Sequence, residues 1–425
     1  MKRIVTYAIA MFLALASHTE ASAQNRELHR TRFIPYPTAS EATKQSLAKQ
    51  RYMQPITEWA TDDKGDLTSE YTYPFSWVER QIFVRIEGVN CPYELLINGK
   101  SVGTSSNGHA ATEFNITKAS KEDKNTITLR LLANDKVAAI ECFTAGESAP
   151  IAYVLSQPRV RVRDIYYRTT IGKGGVVNVD FGAIMHNQTL GDKTSRLYYE
   201  LYLNDTIRLT AGHRDVSLGM YGIDTMRFGA PVPDSVLWSS DSPTRLSLRL
   251  KNRIAGRDVE FYDLPLALRE LHYEDGLFYI NGHPTTITWH ETSPNIAPDE
   301  LRSLYDMGYR AIRFTAGGVE EEVLALCDEL GVYVAITAPI NSSLSGTSRK
   351  RGGNPSNNPR WREHYTERIL QMIYTTQRHP SVVAYYLADD SANGICLYEA
   401  YLTAKRIAGD RPIFYEDGNG EWNSD

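Results

Sequence analysis

Arg310-Ala311-Ile312-Arg313-Phe314, then residues 320–330 closing on Gly331, then Val332-Tyr333-Val334-Ala335-Ile336, is the stretch whose reading decides the fold. Two short apolar runs rich in β-branched and aromatic residues flank a segment with Val323, Leu324, Leu326 and Cys327 on a helical stripe. Gly331 suits a helix stop. The unit is strand, helix, strand. Working outward, Pro298 starts a helix with Leu301, Leu304 and Met307 on one face. Residues 359–377 predict a long helix, 381–387 a strand, 395–407 a helix and 412–415 a strand. Upstream, Thr286-Ile287-Thr288-Trp289 is strand-like, and Phe278-Tyr279-Ile280 runs into Asn281-Gly282, a tight turn. Regular β/α alternation predicts a parallel sheet built from right-handed crossovers, with five strands countable. Residues 342–358 are polar, without periodicity, and read as a loop.

Before residue 275 the period changes to that of strands. Gln81-Ile82-Phe83-Val84-Arg85-Ile86-Glu87-Gly88, Tyr93-Glu94-Leu95-Leu96-Ile97 with Asn98-Gly99 after it, and Asn125-Thr126-Ile127-Thr128-Leu129-Arg130-Leu131 predict a β-sandwich. Val160-Arg161-Val162-Arg163-Asp164-Ile165, Val176-Val177-Asn178-Val179, Leu197-Tyr198-Tyr199-Glu200-Leu201 and Leu246-Ser247-Leu248-Arg249-Leu250 predict a second, smaller one. The expected division is 1–23, 24–158, 159–266 and 267–425. At about 100–200 residues per domain, 425 residues accommodate it.

Composition narrows the function classes. Lys plus Arg is 46 and Asp plus Glu 51, a net charge of −5, without the basic surplus of a nucleic-acid binder. Residues 1–23 read as an export signal: Lys2 and Arg3, a short apolar run over 4–16, and Ala21-Ser22-Ala23 as the cleavage site, with the mature chain expected to begin at Gln24. That run is too short to span a membrane, and no other apolar run is long enough. An exported protein, periplasmic or secreted, is expected. The four cysteines contain no C-x-x-C pair, so zinc-ribbon and thioredoxin readings fail. Their disulfide pairing stays open, with Cys327 reading as a buried free thiol.

The order of parts, with Phe33-Ile34-Pro35-Tyr36-Pro37, Ile97-Asn98-Gly99-Lys100-Ser101-Val102-Gly103, Leu237-Trp238-Ser239, His290-Glu291, residues 326–334, Asn358-Pro359-Arg360-Trp361, Arg378-His379-Pro380-Ser381 and residues 411–416, resembles the family 2 glycoside hydrolases, and in particular their bacterial lac-type β-galactosidases. The resemblance implies a jelly-roll sugar-binding-like domain, an immunoglobulin-like sandwich and a (β/α)8 TIM-type barrel truncated here after about five strands. A truncation implies a fragment, completion by a partner, or a rearranged open sheet, of which the first is favoured. It also implies O-glycosyl hydrolysis by a retaining mechanism, which needs two carboxyl groups roughly 5–5.5 Å apart.

Those positions are degenerate. Where the family's acid/base Glu ends the fourth strand, the resemblance places Asp390, with Asp389 where an Asn precedes it. An Asp carboxyl is displaced by a methylene, and such a misplacement can cost about 10²-fold. The nucleophile would lie on a seventh strand. The sugar-contacting His is Ala316, the metal-ligand Glu is Asn341, a further His is Ser343, and a jelly-roll Asp is Asn107. His290, Glu291 and Arg313 remain. The expectation is a β-galactosidase-like protein impaired in catalysis, with Asn107, His290, Asp389 and Arg313 as sugar-binding candidates, Asp390 as the degenerate catalytic position, and no metal or cofactor, since the resemblance implies loss of the family's magnesium and sodium sites. A β-galactoside-like glycan is the expected partner; oligomeric state is left open. The competing functional readings are a non-catalytic carbohydrate-binding or envelope scaffold protein and, more weakly, a protein-docking module. For single residues, Asp389-Asp390 also reads as a cap or turn before the next helix, His290 as a satisfied histidine, and Trp289 and Trp361 as core residues rather than sugar platforms.

Overall fold

The computed structural model describes residues 26–132, 139–143, 149–350 and 352–425. The export signal read in residues 1–23 lies outside them. A four-stranded sheet ordered Met53–Ile56, Ile151–Gln157, Gln81–Glu87, Thr112–Asn115 packs on a five-stranded sheet that includes Leu67–Tyr73, Tyr93–Ile97 and Asp123–Leu131. Alternation brings Ile82, Val84 and Ile86 from one sheet against Leu95, Ile97, Ile127 and Leu129 from the other, around Trp77. Asn98 and Gly99 both have left-handed φ angles, 51° and 76°. They form the tight hairpin expected of that dipeptide.

The second sandwich pairs a three-stranded sheet, Val160–Ile171, Val177–Asn187 and Ile223–Val232, with a four-stranded sheet ordered Ile207–Leu218, Lys193–Leu203, Leu246–Ile254, Arg257–Leu266. Its core includes Val162, Phe181, Leu197, Leu248 and Tyr262, with Tyr199 stacked on Phe228 at 4.2 Å. Phe33 joins this core, so the segment ahead of the first sandwich is anchored in the second.

The third unit opens with an antiparallel sheet, Leu271–Glu274, Leu277–Ile280 and His283–Thr285. The strand expected over 286–289 is absent. The Asn281-Gly282 turn folds His283–Thr285 back onto Phe278–Ile280, and the first parallel strand forms later, at His290–Thr292. Four parallel strands follow in chain order, Ala311–Phe314, Tyr333–Thr337, Val382–Tyr386 and Ile413–Phe414. The linking helices are Pro298–Asp306, Glu321–Leu330, Arg362–Thr376 and Ile395–Ile407. Gly331 ends the second at φ 75°, a conformation a side chain would resist. One sheet face, with Ile312, Phe314, Val334, Ile336 and Tyr385, packs on the helices. The other carries Ala335, Ala384 and Tyr386, covered by Phe278 and Trp238. Cys327 is buried in the helix-side core, and Cys91, Cys327 and Cys396 are free thiols. No helix among the described residues is long and apolar enough to cross a membrane.

Candidate functional site

Active sites of β/α barrels lie at the carboxyl ends of the strands. Here that end is organised by Arg313, on the second parallel strand. Its register partner is Glu291 on the first strand, so the two side chains share a face. Arg313 Nη1 donates to Glu291 Oε1 at 2.7 Å and to Glu416 Oε1 at 2.7 Å, while Nη2 donates to Asp389 Oδ1 at 2.9 Å. Its guanidinium lies 4.0 Å from the centre of the Tyr386 ring. The stem and head are buried, whereas Glu291 and Glu416 are exposed at the rim. Burial works against the charge of Arg313, but Glu416 and Asp389 outweigh it and hold the guanidinium firmly protonated.

Asp389 sits at the floor of this cluster. Its second oxygen accepts the Ala316 amide at 2.6 Å, and its own amide donates to the Ile340 carbonyl. Burial pushes its carboxyl above the ordinary value, offset in part by the Ala316 amide and Arg313. The cap reading of this dipeptide does not hold for Asp389. The next helix is capped by Gly394, and the Asp389 carboxylate points to Arg313. Asp390 turns the other way: its side chain is exposed and makes no hydrogen bond or ion pair among the described residues.

The remaining candidates lie apart from Arg313. His290 pairs with Ile312 in the register, so strand alternation puts it on the face opposite Arg313, where its ring lies 4.1 Å from Tyr309. Asn107 is fully buried at the seam between the first sandwich and the helix Arg362–Thr376. Its amide donates to Gln371, and its oxygen accepts the His109 amide at 2.8 Å. Trp289 is half-buried, edge-on to Phe278 at 6.2 Å, and half-buried Trp361 lies beside His364. Glu416 was missed as a partner of Arg313. The two are 103 residues apart, and no local pattern links them.

The first sandwich also reaches into the barrel mouth. Residues 139–143 add to the sheet end: the Asn341 amide donates to the Ile140 carbonyl and the Cys142 amide to the Asn341 carbonyl, both in range of a normal bond. Glu141 in this segment is held by His109 at 3.2 Å and by Arg368. A Cβ at Gly318 would overlap the His109 carbonyl, so that glycine admits the sandwich loop. The Asn341 side chain is turned onto its own loop, accepting from the Ser343 amide at 3.0 Å and hydroxyl at 2.7 Å. A segment arranged this way does not fit magnesium, which takes carboxylate and water oxygens in an octahedron. Among the described residues no group of three His, Cys, Asp or Glu side chains is arranged to hold a metal ion.

Residues 298–424 match the family model for the TIM barrel domain of glycosyl hydrolases family 2. The chain is a relative of the family 2 glycosyl hydrolases. A β-galactosidase of Priestia megaterium is 22% identical, with the match covering 90% of this chain and 39% of that protein. A β-galactosidase of Yersinia enterocolitica is 25% identical, covering 83% and 36%. The chain thus spans less than two-fifths of the length of the curated relatives it matches. In fold it is similar to a Bacteroides uniformis β-glucuronidase, bound covalently to cyclophellitol-6-carboxylate aziridine, with a TM-score of 0.68 at 16% identity over 82% of this chain and 46% of that one. A β-glycosidase of Bacteroides vulgatus gives 0.67 at 18%, over 82% and 46%. The first sandwich meets the strand ends at Gly318, through the His109 carbonyl, and at Asn341, through residues 139–143.

Proposed function

We propose that this is an exported, carbohydrate-recognising relative of the family 2 glycosidases whose described barrel mouth is not built for hydrolysis. The observation that carries the reading is the allocation of carboxylates around Arg313. A retaining glycosidase needs one carboxylate free to attack and one carboxyl free to protonate the leaving oxygen. Here Glu291, Glu416 and Asp389 all bond one guanidinium, which ties up one oxygen of each glutamate, while both oxygens of Asp389 are taken by Arg313 and the Ala316 amide. Asp390 alone stays unengaged, and a single carboxylate cannot complete a double displacement.

The Arg313 cluster can still bind. Its exposed rim carboxylates accept hydroxyl hydrogen bonds, and Arg313 fixes their positions. Names of relatives make β-galactosides and β-glucuronides the probes of choice. Purified full chain is expected to release no 4-nitrophenol from either aryl glycoside above a buffer blank, with Asp390→Glu equally silent, while ligand-observed NMR detects contact with galactose or glucuronate that Arg313→Ala removes. Hydrolysis that disappears in Asp390→Ala would overturn the reading. The Ala21-Ser22-Ala23 signal supports a periplasmic or secreted address, which signal-peptide processing to Gln24 on expression would test.

A further inference from the structure

We propose a second glycan-binding groove on the outer face of the second sandwich, remote in sequence from the barrel mouth and independent of whether that mouth binds sugar. The four-stranded sheet turns one row of side chains outward: Tyr198, Glu200 and Tyr202 on Lys193–Leu203, and Arg249, Lys251 and Arg253 on the neighbouring Leu246–Ile254. The short helix Ala39–Lys44 runs beside this face, and between them lies a cavity of about 440 Å³. Register puts Tyr198 between His213 and Lys251, and Glu200 opposite Arg249.

The groove is stiff where it is aromatic. Lys251 Nζ sits 4.3 Å from the centre of the Tyr198 ring, which lines the cavity, and the Arg249 guanidinium 4.2 Å from that of Tyr202, which stands outside the lining on the same row. Cations held against the rings fix their orientation. Arg249 is in turn held by Asp263, whose carboxylate is buried, at 2.9 Å. The Tyr202 hydroxyl donates to Glu200 Oε2 at 3.2 Å. Lys251 is loosely paired, 3.9 Å from Asp258, and exposed His213 stands 5.5 Å from Tyr198.

The lining identifies the ligand class. Its two cations, Arg249 and Lys251, are matched by two carboxylates, Glu200 and Asp263, so the groove has no net attraction for a phosphate backbone. It offers too little apolar surface for a protein hot spot, which is usually built from a buried aromatic anchor. It does offer the Tyr198 ring beside fixed donors and acceptors, a combination that matches the apolar face and hydroxyl edges of a pyranose unit.

The test is affinity electrophoresis of the full chain through gels containing galactan, xyloglucan or polygalacturonate. Migration should slow in at least one gel. Tyr198→Ala should weaken the apparent affinity about tenfold, the size of one aromatic contact. Ala211→Trp, at an exposed position lining the groove, should block it while keeping the wild-type circular dichroism, so a folding defect in Tyr198→Ala does not spoil the test. Absence of retardation in all three gels would overturn the proposal. So would retardation that survives both groove variants, including retardation that only Arg313→Ala removes, which would belong to the barrel mouth.

Discussion

The seams between the units and the mouth of the barrel use the same residue types in opposite ways. At the seams, charges are buried and mutually satisfied. Glu113 takes Arg30 at 2.7 Å and Arg85 at 3.1 Å, all three nearly inaccessible, and Arg30 also reaches the Arg163 carbonyl on the second sandwich. Glu367 on a barrel helix takes Arg26 and His29. At the mouth, one buried arginine meets two exposed glutamates and one half-buried aspartate. The difference teaches where this molecule invests its electrostatics. A buried pair costs desolvation that only close partners offset, so the seam pairs lock domain positions, whereas the rim pairs of the mouth remain solvated and exchangeable.

The sharpest way to break that contrast is Glu113→Ala. It removes the carboxylate partner of buried Arg30, leaves Arg85 with Glu87 alone, and should cost about 3–5 kcal/mol by chemical denaturation. A loss under about 1 kcal/mol would show the seam to be as soft as the mouth.

Next comes pH. Asp328 and Glu321 hold buried His379 protonated, up to about 10 against an ordinary 6.5. A pKa raised on folding stabilises the native state fully below 6.5, and that stabilisation is lost as pH climbs through 10. Melting temperature should therefore fall between pH 7 and 10, by an amount on the order of a few kcal/mol in stability. Glu113 and Glu367, both held down at about 2, act in the other direction: their stabilisation exists above 4.5 and is lost as pH falls towards 2. His379→Gln should flatten the alkaline limb and leave in place the part of the acid limb that belongs to Glu113 and Glu367.

A smaller effect is expected from Asp389→Asn. It keeps the shape but weakens the bond to Arg313, and should cost about 1–3 kcal/mol. The smallest is Asp390→Ala, at an exposed position whose side chain has no partner among the described residues, which should stay within about 0.5 kcal/mol. A larger cost there would show that Asp390 is engaged after all.

Much of the scaffold was legible because its signals are local. The helix Ile395–Ile407 and the strand Tyr93–Ile97 appear at the expected residues, bounded by Gly394 and by Asn98-Gly99. The strand Val160–Ile171 runs six residues past its expected end. Its continuation, Tyr166 to Ile171, is stabilised by pairing with Val177–Gly182 rather than by an apolar alternation of its own. The segment 286–289 misled because its β-branched residues satisfy strand propensity, while the neighbouring Asn281-Gly282 turn commits the chain to a hairpin instead.

The site was less legible. Arg313 and Asp389 were identified and do meet. Glu291 was noted as a remnant, and its bond to Arg313 follows from register. Glu416 and the occupation of the mouth by residues 139–143 were invisible, because both arise from contacts across 103 residues or more.

By itself, the sequence determined the order of two sandwiches and a β/α unit and the positions of most elements. Periodicity, turns and caps act over a few residues, and a linear text records them directly. Only the tertiary structure decided which carboxylates share Arg313, that Asn107 is sealed against Gln371, that His290 lies on the wrong face to join the cluster, and that a loop of the first sandwich extends the barrel sheet. Those outcomes depend on register and on the packing of one unit against another, where a one-residue shift in a strand exchanges its two faces.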